Sequence, residues 1–530
     1  MRHFIQKVAA CCAITIFFAT AVAFILPLTQ AFIPISSQSS FSTLSSTSSV
    51  KSLFRIAAFT LFQATASSLL ALVIGLIASY FISHKDFPLR NLLSSSSAIP
   101  LSIPPLIMAL GYVGFFGMNG SLNKAFAVLF HTDKKLSTFL YSVKGIIIAQ
   151  GFYNFPLVMS TIADTWSHLS QEQKEAAELL GASKIRIFFT ITLHQLFSAI
   201  ASSIIPVFLY CFFSFLIVLL FGGVGTTTLE VELFSAARNS IDLRSASYIA
   251  IIETLIASFI VTIYSLLDKN AFTRLNNTAS SAQKREKLQK KEIPLFFLFF
   301  TLIFLFFASP LLNIAAAAFP NFSLVVMKKV LFSKGFLTAL LHTFQTGCAT
   351  AFFCVITAFT YAVFLRNMKK EVVFLKTFAV LPMAVSSVVI GFGITKVVQN
   401  GSPLLLVAAQ TALIFPLAFR QIYASLATIS KEALDAAVLL SPYKTDTIFL
   451  IYLKSSKRAI ISAFILCFAA SSGDTTLPLV LAIPSFDTLA LFTYRLASSY
   501  RYAQASASGL LLGILCIILF ALGNSIKEKK

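Results

Sequence analysis

The sequence predicts an all-α polytopic membrane protein with about 12 transmembrane helices, arranged as two parallel six-helix repeats. Three observations lead there. Apolar runs of about 20 residues recur along the chain, long enough to cross a hydrocarbon core of roughly 30 Å. Charged residues make up only 12% of the 530, against 57% hydrophobic, 56 Phe and a mean hydropathy of +0.85; a soluble protein carries about twice that charged fraction. The second half of the chain also repeats the first at a near-constant spacing. A transmembrane barrel needs short alternating segments, which the sequence lacks.

Twelve spans are predicted near 8–29, 54–82, 94–117, 138–163, 196–221, 245–267, 294–317, 336–365, 373–398, 402–425, 459–483 and 504–526. The first has a basic start but no small-x-small cleavage site close behind it, and it reads as an uncleaved span rather than a signal peptide. The net charge of +21 does not point to nucleic acid, because the basic residues cluster in short loops between apolar runs. Arg2 and Lys7, "SHKDFPLR", "KREKLQKKE", "RNMKKE" and the final "KEKK" fall alternately on one side. By the positive-inside rule both termini are then cytoplasmic. The seven cysteines (Cys11, Cys12, Cys211, Cys348, Cys354, Cys467 and Cys516) lie in or beside apolar runs without CxxC spacing, and read as small packing residues.

The domain plan is a first repeat over 1–267, a basic linker over 268–292 read as a solvated tether, and a second repeat over 293–530. A shift of 260 residues aligns Gln150 with Gln410, "FPL" 155–157 with 415–417, and Ala176–Ala177 with Ala436–Ala437. Over positions 150–193 it gives 15 identities in 44, and it also matches Thr228–Leu229 with Thr488–Leu489. Upstream, Phe62–Gln63 pairs with Phe344–Gln345 at a shift of 282. Six spans per copy is an even number, so both copies face the same way, with a pseudo-two-fold axis along the membrane normal and a path between the halves.

One charged stretch interrupts the greasy pattern. Loop 164–195 carries "KEAAELLGAS", and Ser170 with Gln173 forms a capping-box signature for a helix start. Ala176, Leu179 and Leu180 share one face, with Lys174, Ala177, Glu178 and Gly181 roughly opposite. The apolar face is expected to anchor on the membrane domain and the small, charged face to meet a soluble partner. Gly181 is placed to end the helix in a left-handed cap. The second copy, in loop 426–458, ends instead at Ser441–Pro442, another helix stop.

"EAAELLGASKIRIFFTITL" (175–193) resembles the EAA motif of binding-protein-dependent ABC transporter permeases. Glu175, Ala176, Ala177, Gly181, Ile191 and Leu193 match it, with His194 where proline is usual. The second copy, "DAAVLLSPYKTDTIFLIYL", has Asp435 for Glu, keeps Ala436 and Ala437, and has Ser441 for Gly and Lys454 for Pro. The resemblance covers essentially the whole chain and implies a type I ABC importer permease fold of the duplicated subgroup that serves iron(III) and thiamine. "FGGVGTTTLEVELF" (221–234) and "SYRYAQASASGLLLG" (499–513) resemble the thiamine type. It further implies that Glu175, Ala176, Ala177, Gly181 and their copies Asp435, Ala436, Ala437 and Ser441 couple to a homodimer of ABC ATPase subunits. An extracytoplasmic solute-binding protein would deliver the cargo, and the halves would rock between outward- and inward-facing states.

No GxxxxGK[ST] loop is present, so ATP and its magnesium are expected on the partner ATPase, with no cofactor, metal or catalytic residue on this chain. The substrate-binding residues are not legible. An ion-coupled secondary transporter is the competing class, and it ordinarily places ionisable groups at bilayer depth. Glu253 is the one acid clearly within a span and is read as facing a helix partner; Asp474 is a second candidate. Glu230, Glu232 and Asp242 are read as solvated loop charge near the entrance.

Overall fold

The computed structural model describes residues 2–33, 47–131, 138–169, 171–223, 226–238, 242–275, 285–366, 379–398, 400–430 and 451–528, with 368, 375, 432, 434 and 436 singly. Among these, ten helices are long and apolar enough to cross a membrane. Hydrocarbon offers no water to the backbone, so the helix is the natural way for these apolar runs to satisfy their own N–H and C=O groups.

The first half comprises α1 (Arg2–Phe32), α2 (Thr47–His84), α3 (Pro105–Phe116), α4 (Val143–Ser167), α5 (Gln171–Leu179), α6 (Lys184–Phe212), α7 (Leu216–Phe221), α8 (Leu229–Arg238) and α9 (Leu243–Leu275). The second comprises α10 (Ile293–Ala318), α11 (Lys334–Arg366), α12 (Ser387–Val397), α13 (Pro403–Ala427), α14 (Lys457–Gly473), α15 (Thr476–Leu481), α16 (Leu489–Ser498) and α17 (Tyr502–Glu528). Several expected spans are interrupted. Residues 94–117 divide at Pro104 before α3, and 459–483 breaks at Asp474 between α14 and α15. Prolines and a side chain that caps the following turn explain both breaks.

Local hydrogen bonds repeat between the halves. Ser142 caps α4 by accepting from the Gly145 N–H (3.4 Å), and Ser402 caps α13 by accepting from Leu405 (3.3 Å). Thr60 accepts from the Leu229 N–H at 3.0 Å, and Thr343 accepts from Leu489 at 2.7 Å. This pair corrects the expected register of α2 on α11 from 282 to 283. The Phe-Gln coincidence misleads: Gln63 is buried whereas Gln345 is exposed, and Thr346 occupies the equivalent buried position.

The opening helix of each half crosses to the other. Helix α1 packs on α11, α12 and α13, while α10 packs on α3 as well as on α17. Thr20 and Thr357 hydroxyls lie 3.2 Å apart, and the Phe17 and Tyr361 rings stack at 5.3 Å. Lys396 of α12 donates to the Gln30 carbonyl (2.8 Å) and to that of Ile33 at the end of α1. At each crossing a glycine meets a prolyl carbonyl. A Cβ on Gly111 would overlap the Pro310 oxygen, and one on Gly393 would overlap that of Pro27. Without a general hydrophobic drive between helices in lipid, such backbone approach is what brings arms and bundles together.

Replacing Gly111 or Gly393 by leucine should therefore weaken the crossing, by about 1–3 kcal/mol for overpacking alone. Thermal unfolding of the purified chain in detergent should show a lowered midpoint for both variants, and unchanged midpoints would refute the close-approach role.

Candidate functional site: the projecting helix and the seam between halves

Helix α5 projects from the bundle. Its last turn closes in a Schellman motif: the Ala182 N–H donates to the Ala177 carbonyl (3.0 Å) and the Gly181 N–H to Glu178 (2.9 Å). Gly181 has φ of 80°, as the sequence expects, and nothing lies within 4 Å of the position a Cβ would take. Glycine is thus required by backbone conformation rather than by crowding. Ser183 then caps α6, accepting from the Arg186 N–H at 3.4 Å. A π-helical stretch over Phe188–Thr192 follows within α6.

The expected facing of α5 is reversed. Leu179 and Leu180 are 90% and 88% exposed, whereas Lys174 and Ala177 are half-buried against the protein. Burial holds the Lys174 ammonium below the ordinary lysine range. Glu175, Ala176 and Gly181 are exposed. The helical periodicity separates two faces correctly but does not say which faces the bundle, and here the stem of Lys174 is the part that packs. The expected capping box is also altered: Gln173 Oε1 accepts from Gln195 Nε2 of α6, which ties the helix back to its successor. Ser170 lies outside the described residues. In the second copy Ala436 is helical and exposed, while Asp435, Ala437 and Ser441 lie outside the described residues.

Beneath α5 sits an aromatic bracket. His84 stacks on Tyr80 (5.2 Å) and meets Trp166 edge-on (5.3 Å), and Trp166 lies 6.0 Å from Phe188. The bracket leads to the linker, whose last residues are not the expected solvated tether. Glu286–Lys287 form a short parallel pairing with Lys85–Asp86 just past α2. Lys85, almost wholly buried, bonds Glu292 at 2.9 Å and Glu286 at 3.4 Å, and Tyr80 donates to Glu292 at 3.2 Å. Burial pulls the Lys85 ammonium down, but Tyr80 and the two carboxylates outweigh it and hold it above the usual range. Burial pushes the Glu292 carboxyl up, and the Gln289 N–H with Lys85 more than offsets that, leaving it below the ordinary carboxylate range. The remainder of α9 and 285–292 thus bracket residues 276–284, which lie outside the described residues.

The interior of each half holds buried polar groups. Asp474 accepts from Thr476 N–H (3.0 Å), Leu477 N–H (3.3 Å) and Gln410 Nε2 (3.0 Å), so this acid is a cap. Gln410 is completed by Thr350 (3.2 Å) and Ser471 (2.7 Å). Its counterpart Gln150 is buried with neither amide atom paired, because the positions corresponding to Thr350, Ser471 and Asp474 hold Ser67, Cys211 and Ser214. Glu230 is buried on α8 and not solvated loop charge; Glu253, on α9, faces a helix partner as expected, and that partner is Glu230. Sequence reasoning missed that pairing, since nothing in "LEVELF" marks α8 as tucked into the bundle.

Residues 71–276 match the family model described as "Binding-protein-dependent transport system inner membrane component". That interval runs from within α2 through α9 and includes α5. The thiamine transport system permease protein ThiP of Brucella abortus is 25% identical over 486 residues, covering 89% of this chain and 87% of that protein. The Haemophilus influenzae protein of the same name is 24% identical over 89% and 88%. A putative 2-aminoethylphosphonate transport system permease protein, PhnU of Salmonella typhi, is 29% identical over 39% of this chain and 70% of its own length.

The buried clip is expected to stabilise the fold. Lys85→Ala should lower stability by about 1–3 kcal/mol, the scale of lost charged hydrogen bonds, whereas Glu286→Gln, at the exposed end, should be near neutral. Because the Glu292 pKa is depressed on folding, its contribution is present above the ordinary glutamate pKa of about 4.3 and fades as pH falls through the depressed value. Thermal unfolding of wild type and Glu292→Gln as a function of pH checks the sign: the gap between them should close toward low pH.

Proposed function

We propose that this chain, a membrane permease of a binding-protein-dependent ABC importer, carries thiamine across the bacterial inner membrane with both termini cytoplasmic. The observation that carries the coupling part is the exposed Leu179–Leu180 pair at the tip of a glycine-capped helix. Large apolar side chains held out in water on a soluble face mark a contact with another protein. In this reading the pair enters a groove on an ATPase subunit, Glu175 and Ala176 line the contact, and Gly181 sets where the helix ends. A second ATPase subunit, completing a homodimer, docks on the copy around Asp435, Ala436, Ala437 and Ser441. ATP and magnesium belong to those subunits, and this chain acts by transmitting their closure.

The mechanical route follows from the packing. Force on α5 passes through Gln173–Gln195 into α6 and through the Trp166–His84–Tyr80 bracket into α2 and the linker clip. Since α1 and α10 are each packed on the opposite half, displacement of one half moves an arm of the other, which favours a rocking motion of two bodies. An extracytoplasmic binding protein delivers the cargo at the end of the bundle away from α5. The thiamine assignment rests on the two relatives of that name matched along nearly the whole chain.

Cells expressing the chain with its ATPase and binding protein should take up labelled thiamine; uptake of iron(III) or 2-aminoethylphosphonate in its place would replace that assignment. Leu179→Asp with Leu180→Asp should leave membrane insertion intact and abolish co-purification with the ATPase. Glu175→Lys and Gly181→Leu should uncouple transport, while the same changes at Asp435 and Ser441 should be milder. Equal loss from both copies would overturn the inequality.

A further inference from the structure

Glu230 and Glu253 are buried acids whose carboxyls are not fully partnered. Glu253 is fully buried with neither carboxyl oxygen paired, and Glu230 is 2% exposed with Oε2 unpaired. The two carboxyls face each other and the side chain of Ser386. Ser386 belongs to the other half. It caps the N-terminus of α12, accepting from the Val389 N–H at 3.1 Å, so the carboxyls of α8 and α9 meet a helix end across the seam. Two further buried hydroxyls, Thr228 just before α8 and Thr254 on α9, are without partners.

Burying unpaired carboxyls opposes folding by several kcal/mol, so a packing role does not account for them. Nor does the repeat require them. Helix α16, the copy of α8, has no acid, with Ala490 at the position of Glu230; α17, the copy of α9, has none before Glu528. The framework therefore stands in the second half without this pair. What remains is an oxygen-only constellation, negative when ionised, at the seam along which the halves part.

We propose that Glu230, Glu253 and Ser386 form a cation station between the halves, which takes the positive charge of an organic cation as it passes. It deepens the transport reading above and rests on it: thiamine carries a fixed positive charge on its thiazolium ring. Ser386 ties the station to the opposing half, so opening the seam on α12 uncovers the two carboxyls, and closing it covers them again.

Two measurements test this. In the first, the purified full chain in lipid nanodiscs is treated with dicyclohexylcarbodiimide, which attacks carboxyls in apolar surroundings, and the adducts are mapped by mass spectrometry. Labelling at Glu230 or Glu253 should fall when thiamine or tetramethylammonium is present and should be unaffected by a neutral analogue, thiochrome. In the second, cells carrying Glu230→Gln with Glu253→Gln should lose thiamine uptake about tenfold or more, the scale of one unmade polar contact with the cargo. The charge-conserving Glu230→Asp and Glu253→Asp should retain most of it, with size-exclusion profiles showing all variants folded. Full uptake by the double Gln variant, or labelling indifferent to every cation, overturns the station. If the wild type imports no thiamine yet tetramethylammonium still protects the carboxyls, the cargo assignment fails and the cation station stands.

Discussion

The architecture depends on two backbone crossings. Gly111 against Pro310 and Gly393 against Pro27 let an arm from each half lie directly on the other's bundle. A hydrocarbon solvent supplies no hydrophobic reward for association, so the available stabilisation is close packing and whatever polar contacts the approach permits. Removing one side-chain atom at each crossing permits that packing, and Lys396 then closes over the exposed carbonyls of the α1 terminus. Everything that needs the halves to move as bodies, from the projecting helix to the seam, presupposes these crossings.

Much of this was legible in the residues, and the failures have identifiable causes. The 260-residue repeat and the glycine stop at Gly181 survive in detail, because both rest on local chemistry: identical caps at Ser142 and Ser402, and a backbone conformation that glycine alone adopts freely. For α2 the two adjacent Phe-Gln identities point one residue off the true shift, because burial, which only packing reveals, decides the register; Thr60 and Thr343 identify it through a shared hydrogen bond. The facing of α5 is the reverse of that expected because helical periodicity divides a surface in two without naming the side that meets the bundle. Glu230 reads as a loop acid in the sequence because a short helix folded inward has no apolar signature of its own.

The copies have diverged unevenly. The polar knot around Gln410 is complete in the second half, whereas its equivalent at Gln150 has lost its partners to Ser67, Cys211 and Ser214. The first half carries instead the carboxyl pair. Fusing two halves in one chain fixes one of each per molecule, so a residue needed once need not be tolerated twice. Two identical subunits would have to accept four buried carboxyls where this chain holds two.

The crossing of α1 also has a consequence for how the protein is made. During synthesis α1 leaves the ribosome well before most of the surfaces it packs against: besides α9 of its own half, these belong to α11, α12 and α13, which follow after an entire half has been inserted. Throughout that interval it must remain in the bilayer with only a small part of its protein contacts made. Its composition suits the wait: over its apolar window only 11% of residues end up buried inside the finished protein, so lipid is an adequate neighbour before the bundle closes and remains one afterwards. A segment that enters the membrane early is therefore among the last to complete its packing.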